Sequence, residues 1–195
     1  MGQPDDPADT AAMPAAESFN AIFEATSRSP VLRHIWRVVY GQDYPEEADP
    51  FSFVTLTDLN RIARELEVGA GQVMVDVACG RGGPGLWIAR ETGASLVGVD
   101  FSQIGIDHAH QQAVQLGLSR RADFLVRDVA RTGLPEASLD AAMSVDSFWL
   151  FPDKEQVAEE VARFLRPGGR FVEDVPSSVE LRWRPGDVQA ASSLL

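Results

Sequence analysis

The apolar run Val73-Met74-Val75-Asp76-Val77 empties into Ala78-Cys79-Gly80-Arg81-Gly82-Gly83-Pro84-Gly85, a stretch glycine-rich enough for a ligand to approach its backbone closely. The N–H groups at the start of a following helix would attract an anionic group there. Glycine clusters also make ordinary strand-to-helix turns, so the surrounding acids decide the reading. Asp100 closes a second apolar run, about 20 residues beyond the loop, where a carboxylate can accept hydrogen bonds from two ribose hydroxyls. Asp128 follows a third run. All three strand ends would open on the carboxyl edge of a parallel sheet, where such folds bind ligands. Each residue also has a plainer reading: Asp100 as the cap of a helix starting near Ser102, Asp128 as a turn residue before Val129, and Phe101 as core.

Two nucleoside cofactors fit a glycine loop with a ribose-binding acid. Asp76 discriminates between them. A carboxylate so near the loop would repel the pyrophosphate of NAD, whereas a sulfonium ligand carrying an ammonium group would tolerate it. Cys79 reads as a small buried residue with no base beside it to make a nucleophile. His108 and His110 stand two apart on a helical stretch and do not converge, so no metal site is expected.

These residues need a sheet to hold them. From Val73 onward short apolar runs alternate with helical stretches, the pattern of βαβ units and a parallel sheet. Strands are expected over 73–77, 95–99, 122–127, 141–145 and 170–175, with helices over 84–91, 102–115 and 154–164. Val157, Val161, Phe164 and Leu165 mark the buried stripe of the last helix, which Pro167-Gly168-Gly169 should stop. Upstream, Leu59, Ile62, Ala63 and Leu66 share one face of a helix over 57–66. Between Phe19 and Tyr40 apolar residues recur at partly helical spacing broken at Pro30, which suggests one or two short helices packed on the body. The expected division is a disordered leader over 1–18, a helical cap over 19–69, a ligand-binding core over 70–175 and a short tail over 176–195. The leader is expected to be disordered because its Pro, Ala and Asp bury too little surface to offset ordering entropy.

With 195 residues and 45% hydrophobic content, the chain is expected to hold one domain with a real core. A net charge of -12 with no local Lys/Arg cluster repels phosphate backbones, so nucleic acid is not an expected partner. The apolar runs fall well short of the roughly 18 residues needed to cross a bilayer, and the acidic N-terminus lacks the features of a signal peptide. The lone Cys79 fits a reducing compartment. A cytoplasmic protein without a membrane partner is expected.

Together, VDVACGRGG, LVGVDFS, VRDVARTGLPEASLDAAMSVDS and LRPGGRFV resemble the class I S-adenosylmethionine-dependent methyltransferases. The subgroup they resemble is methyltransferase type 11, the ubiquinone-biosynthesis-type small-molecule enzymes of bacteria. The resemblance spans 70–175. It implies an α/β fold: a Rossmann-like methyltransferase sheet, mostly parallel, with helices on both faces. Carried over by position, Asp76, the backbone of Ala78 and Gly80, and Gly82 would hold the methionine end of S-adenosyl-L-methionine. Asp100 would take the ribose and Phe101 the adenine face. Asp128, with the Val129 amide beside it, would take the adenine amino group, and Ser144 would contact the methionine end. Ala78 stands where the family has its first loop glycine, and with a negative φ it would leave binding intact. In the family the sheet continues past its fifth strand with a helix and two strands, one of them antiparallel. Too few residues remain here for all three, so the fold is expected to be truncated after the fifth strand. The segment VELRWR, 179–184, alternates like a half-buried strand that would turn back over the fifth, with an irregular loop as the alternative. An uncovered strand-five edge would bring self-association into a homo-oligomer or low stability.

Methyl transfer from a sulfonium needs little acid-base machinery, because alignment and desolvation do most of the work. For a hydroxyl acceptor the candidate bases are Asp146 and His34, with Glu173 and Asp174 on the next strand. Tyr40, Tyr44, Phe51 and Phe53 fall where the resembling family lids its cofactor, and plain packing of a helical cap is the alternative for each. Phe148, Trp149 and Phe151 would wall an aromatic or lipid-like acceptor. Three functions stand at this point. One is methyl transfer to a small-molecule acceptor; another is S-adenosylmethionine binding without turnover because the C-terminal strands are missing; the least favoured is an NAD-dependent oxidoreductase.

Overall fold

A computed structural model describes residues 7–27, 29–174 and 182–183. Six strands form one sheet in the order β3-β2-β1-β4-β5-β6. They are β1 (Val73–Val77), β2 (Ser95–Asp100), β3 (Ala122–Val126), β4 (Leu139–Val145), β5 (Leu165–Asp174) and β6 (Arg182–Trp183). The pairs β1 with β2, β2 with β3, β1 with β4 and β4 with β5 are parallel, whereas β6 runs antiparallel to β5. Strand order therefore reverses beside β1, and the carboxyl ends of β1 and β4 flank the crevice where open α/β sheets bind ligands.

Alternation along the strands divides the core. One face of the sheet carries Met74, Leu96 and Met143 against Leu59 and Ile62 of α3 (Leu56–Leu66), Leu86 and Ile88 of α4 (Gly83–Thr92) and Ile106 of α5 (Gln103–Gln115). The other carries Val75, Val77, Ala142 and Phe171 against Val157, Val161 and Phe164 of α6 (Lys154–Phe164). Each fully buried aliphatic side chain contributes about 1.5–3 kcal/mol, so both faces are firmly held. Asp76 falls on the first face, beside Gly85 and Leu96.

Three expectations change. The leader expected to be disordered over 1–18 is helical from Pro7 onward, within α1 (Pro7–Ser27); residues 1–6 lie outside the described residues. Alanine is the strongest helix former, and Ala8, Ala11, Ala12, Ala15 and Ala16 crowd this segment behind a proline at the first position, where its missing N–H costs nothing. Next, α2 (Pro30–Tyr40) buries no residue, and its Val31 and Val38 are 64% and 70% exposed. It is tied down at its polar and aromatic positions instead, by an Arg33–Asp49 ion pair at 2.9 Å, an Arg37–Glu46 pair and Trp36 set edge-on to Phe53.

Third, Pro167-Gly168-Gly169 does not separate α6 from the next strand. β5 starts at Leu165 and the three residues form a bulge within it: Leu139 pairs with Leu165 but Ala141 pairs with Arg170, and Gly168 turns at φ +82°. Within VELRWR, Arg182 and Trp183 pair antiparallel with Val172 and Phe171, so of the two alternatives the returning strand is the one that forms. The rest of the 176–195 tail, and with it the expected edge-driven association, lies outside the described residues.

The cap meets the core at Gly83. A Cβ placed there would fall 1.8 Å from the carbonyl oxygen of Ala48, a backbone atom that a rotamer change cannot move. Gly83→Ala is therefore expected to lower stability by about 1–3 kcal/mol. An unchanged urea midpoint would show that the segment around Ala48 yields freely.

Candidate functional site

The turn after β1 holds a strained residue. Ala78 lies at φ +59°, in the left-handed region, so the expectation of a negative φ is corrected. A Cβ in that region costs about 1–2 kcal/mol, which explains why glycine is the family pattern at this position. The strain is held in place by neighbours: the Cys79 N–H donates to Val99 O at 3.0 Å and the Gly82 N–H to Cys79 O at 2.8 Å. Cys79 is buried, and burial pushes its thiol well above the usual range, which fits a packing role.

Asp100, 3% exposed, is the hub. Its Oδ2 accepts from the Gly80 N–H at 2.8 Å and its Oδ1 from the Ser102 N–H at 2.8 Å. One carboxylate thus ties the glycine loop of β1 to the start of α5. Burial raises its pKa, and amides of Ser102, Gly80 and Phe101 hold the rise back. The helix-cap reading belongs to Ser102, whose Oγ accepts from the Gly105 N–H at 2.9 Å.

Asp76 is 2% exposed, and its Oδ2 is buried with no hydrogen-bond partner. Burial, reinforced by Asp100 and tempered by the Gly85 amide, pushes its carboxyl up to about 8.

The other expected residues divide. Phe101 meets Phe19 edge-on at 5.6 Å. Asp128 lies exposed two residues beyond β3, where its Oδ1 accepts from the Ala130 N–H at 2.9 Å, while Val129 packs against the second core face. Ser144 is fully buried on the face opposite Asp76, and its hydroxyl pairs with Ser147 at 2.7 Å, so the structure does not bring it together with Asp76. Asp146 sits at φ +51° and both its oxygens are engaged, Oδ2 by the Phe53 N–H at 3.1 Å and Oδ1 by Trp149 Nε1 at 3.2 Å. That arrangement fits a brace between cap and sheet better than a free base. His34 lies on exposed α2. Tyr44 is core, while Tyr40 stacks on Trp36 and is raised first by burial and then by Asp146. Phe148 and Phe151 pack into the second core face, leaving Trp149 and Leu150 as the exposed apolar residues after β4.

Sequence reading missed the cap's hold on the loop. Arg81 donates to Asp49 O at 3.1 Å and stands 6.0 Å from the Phe51 ring centre, while the Asp49 carboxylate is forked by Arg33. A long cation inside a glycine loop was the available signal. Phe23 of α1, expected to pack on the body, lays its ring by Gly80, and Asn20 accepts from Ser102 and Ile104 at the start of α5, contacts that lie far apart in sequence.

A family model described as a methyltransferase domain matches residues 74–169. Methyltransferase GfsG of Streptomyces halstedii is 32% identical over 171 residues, covering 82% of this chain and 62% of that protein. The chain thus spans less than two thirds of that relative's length. Among solved structures, the [4+2]-cyclase SpnF superposes with a TM-score of 0.57 at 30% identity, over 59% of this chain and 43% of that one. A geranyl diphosphate methyltransferase in complex with GPP and sinefungin does so with a TM-score of 0.58 at 27% identity, over 62% and 45%. The motif order, the glycine loop on β1 and these likenesses agree: residues 74–169 form a methyltransferase domain of the class I, S-adenosylmethionine-dependent type.

Proposed function

We propose that the chain binds S-adenosyl-L-methionine at the carboxyl ends of β1 and β2 and methylates a small-molecule acceptor. The observation that carries this reading is the buried, unpartnered Oδ2 of Asp76 beside Asp100, an arrangement that suits a ligand bearing positive charge. Asp76 and the turn at Ala78, Gly80 and Gly82 would hold the methionine end. Asp100 would accept from the ribose, and Phe101 and Asp128 would bracket the adenine. When bound, the cofactor supplies a methyl group on a positively charged sulfur, already activated for transfer.

The chain's own work is alignment and exclusion of water. Asp146 holds Phe53 and Trp149 in place, and exposed Trp149 and Leu150 supply an apolar surface for the acceptor's body. Among the described residues no helix is long and apolar enough to cross a membrane. A cytoplasmic location is consistent with the single cysteine.

Cofactor binding without methyl transfer is the second reading, favoured by the likeness to a protein named as a cyclase. Calorimetry with S-adenosylmethionine, S-adenosylhomocysteine and NAD tests the cofactor, and turnover on an acceptor library separates the two readings. Binding of NAD in preference to the sulfonium cofactor would overturn both. Asp128→Asn gives a finer check: it is expected to lose most of the parent's preference for S-adenosylhomocysteine over its inosine analogue, a difference of about tenfold. Equal discrimination by variant and parent would remove Asp128 from the adenine site.

A further inference from the structure

The connection from β3 to β4 carries Asp128, proposed above to meet the adenine. Its first turn is closed by the Arg131 N–H, which donates to Asp128 O at 3.0 Å, and the Asp128 carboxylate is aimed by the Ala130 N–H at 2.9 Å. Immediately beyond lies Thr132, 2% exposed, and α6 grips it. Glu160 Oε1 accepts from the Thr132 N–H at 2.9 Å and from its hydroxyl, while Thr132 Oγ1 accepts from the Leu134 N–H at 3.2 Å. Arg163, on the same face of α6, donates to Leu134 O at 2.7 Å and to the two oxygens of Glu160 at 2.7 and 2.8 Å. Two side chains of one helix thus hold Thr132 and Leu134 on either side of Gly133, which turns at φ +66°.

Stability is a weak reason for such a pair. The Glu160 side chain is 10% exposed, and a buried ion pair stabilises a fold little more than apolar side chains of the same volume would. Burial by itself would push the Glu160 carboxyl up; the Arg163 and Thr132 donors outweigh it and hold the group below its ordinary value. What a charged fork supplies is fixed geometry, and the geometry fixed here is that of the turn bearing Asp128. We infer that Glu160 and Arg163 are positioning residues for cofactor recognition: from α6 they clamp the turn through which Asp128 reads adenine, and so set selectivity for the base without touching it. This rests on reading the site as one for S-adenosylmethionine with Asp128 at the adenine. Because α6 packs on the sheet face opposite Asp76, loss of the clamp should leave the ribose and methionine ends of the site intact.

Calorimetry on the full chain with S-adenosylhomocysteine, its inosine analogue and S-ribosylhomocysteine, which lacks the base, tests the clamp. Glu160→Gln is expected to lower the preference for the adenosine over the inosine ligand about five- to tenfold, the weight of one hydrogen bond at Asp128, while S-ribosylhomocysteine binds as it does to the parent. Thr132→Val, which removes only the hydroxyl, should act in the same direction, and it carries the comparison if Glu160→Gln does not melt cooperatively. Thr132→Ser keeps both donors and should keep the parent's preference. Because the clamp acts through Asp128, the double variant Glu160→Gln/Asp128→Asn should discriminate no less than Asp128→Asn alone, and losses that add overturn the clamp. A folded Glu160→Gln that melts earlier but keeps the parent's preference, or that loses all three ligands equally, also overturns it and leaves the cofactor reading standing. A parent that binds all three without distinguishing adenosine from inosine takes Asp128 and the clamp out of the adenine site. If the parent binds none of the three, the cofactor reading itself fails and the clamp falls with it.

Discussion

Asp100→Ala is expected to weaken S-adenosylhomocysteine binding about a hundredfold in a chain that still folds. The carboxylate is 3% exposed and accepts from Gly80 and Ser102 at 2.8 Å each, so it both shapes the loop and presents acceptors to the crevice. Hydrogen bonds to charged groups are worth about 1.5–3 kcal/mol, or ten- to a hundredfold apiece. The alanine variant loses the proposed ribose acceptor and releases the Gly80 amide in one step, which places the effect at the upper end. Asp100→Asn should recover little, because its amide nitrogen would confront one of the two N–H donors. Calorimetry on a variant whose melting curve remains cooperative decides the matter. A dissociation constant equal to the parent's would mean that Asp100 serves only the fold.

Legibility in the sequence followed the range of the interactions concerned. Strand β1 was readable to the residue, and α6 likewise, because their periodicities are set by neighbours along the chain and by a sheet buried on both faces. Asp76 and Asp100 stood out as candidates because a charged residue inside or closing an apolar run needs a reason, and the fold buries both. The φ of Ala78 was not readable, since the residue type argues for one half of the Ramachandran map while the turn, pinned by Cys79 and Gly82, demands the other. Asp146 shows the same limit from the side of chemistry. Its type and place suggested a base, and only the fold reveals that a backbone amide 93 positions away and an indole already occupy both oxygens. The bulge in β5 was equally hidden, because Pro-Gly-Gly stops a helix locally but a partner strand can absorb it.

Asp76 should give the chain an unusual pH profile. Its carboxyl, raised by burial and by Asp100 to about 8 in the folded protein, has an unfolded value near 3.8. Below about pH 4 both states hold the proton and Asp76 costs nothing. Between pH 4 and 8 the folded chain keeps a proton that the unfolded chain has lost, so stability falls as pH rises, by about 1.4 kcal/mol per unit at most. Above pH 8 both states are ionised and the loss levels off at about 6 kcal/mol at most, shared with Asp100 because the two carboxyls titrate as a pair. Asp76→Asn removes the ionisation, so the difference in melting temperature between variant and parent is expected to widen from pH 5 to 8 in the variant's favour. The same linkage acts on binding with the opposite sense. An ammonium or sulfonium placed at the unpartnered Oδ2 favours the ionised form, so affinity should rise with pH, up to tenfold per unit, and flatten above pH 8. Calorimetry in buffers of different ionisation heat would detect the proton released on binding at pH 7 by the parent and none by Asp76→Asn. Asp76 would thus destabilise the empty chain in order to recognise its ligand, and a variant that is no more stable at pH 8 and binds S-adenosylmethionine as tightly as the parent would refute that role. A pyrophosphate cofactor would reverse the slope, its affinity falling as Asp76 ionises, so the sign of one titration separates the two nucleoside chemistries that the glycine loop alone leaves open.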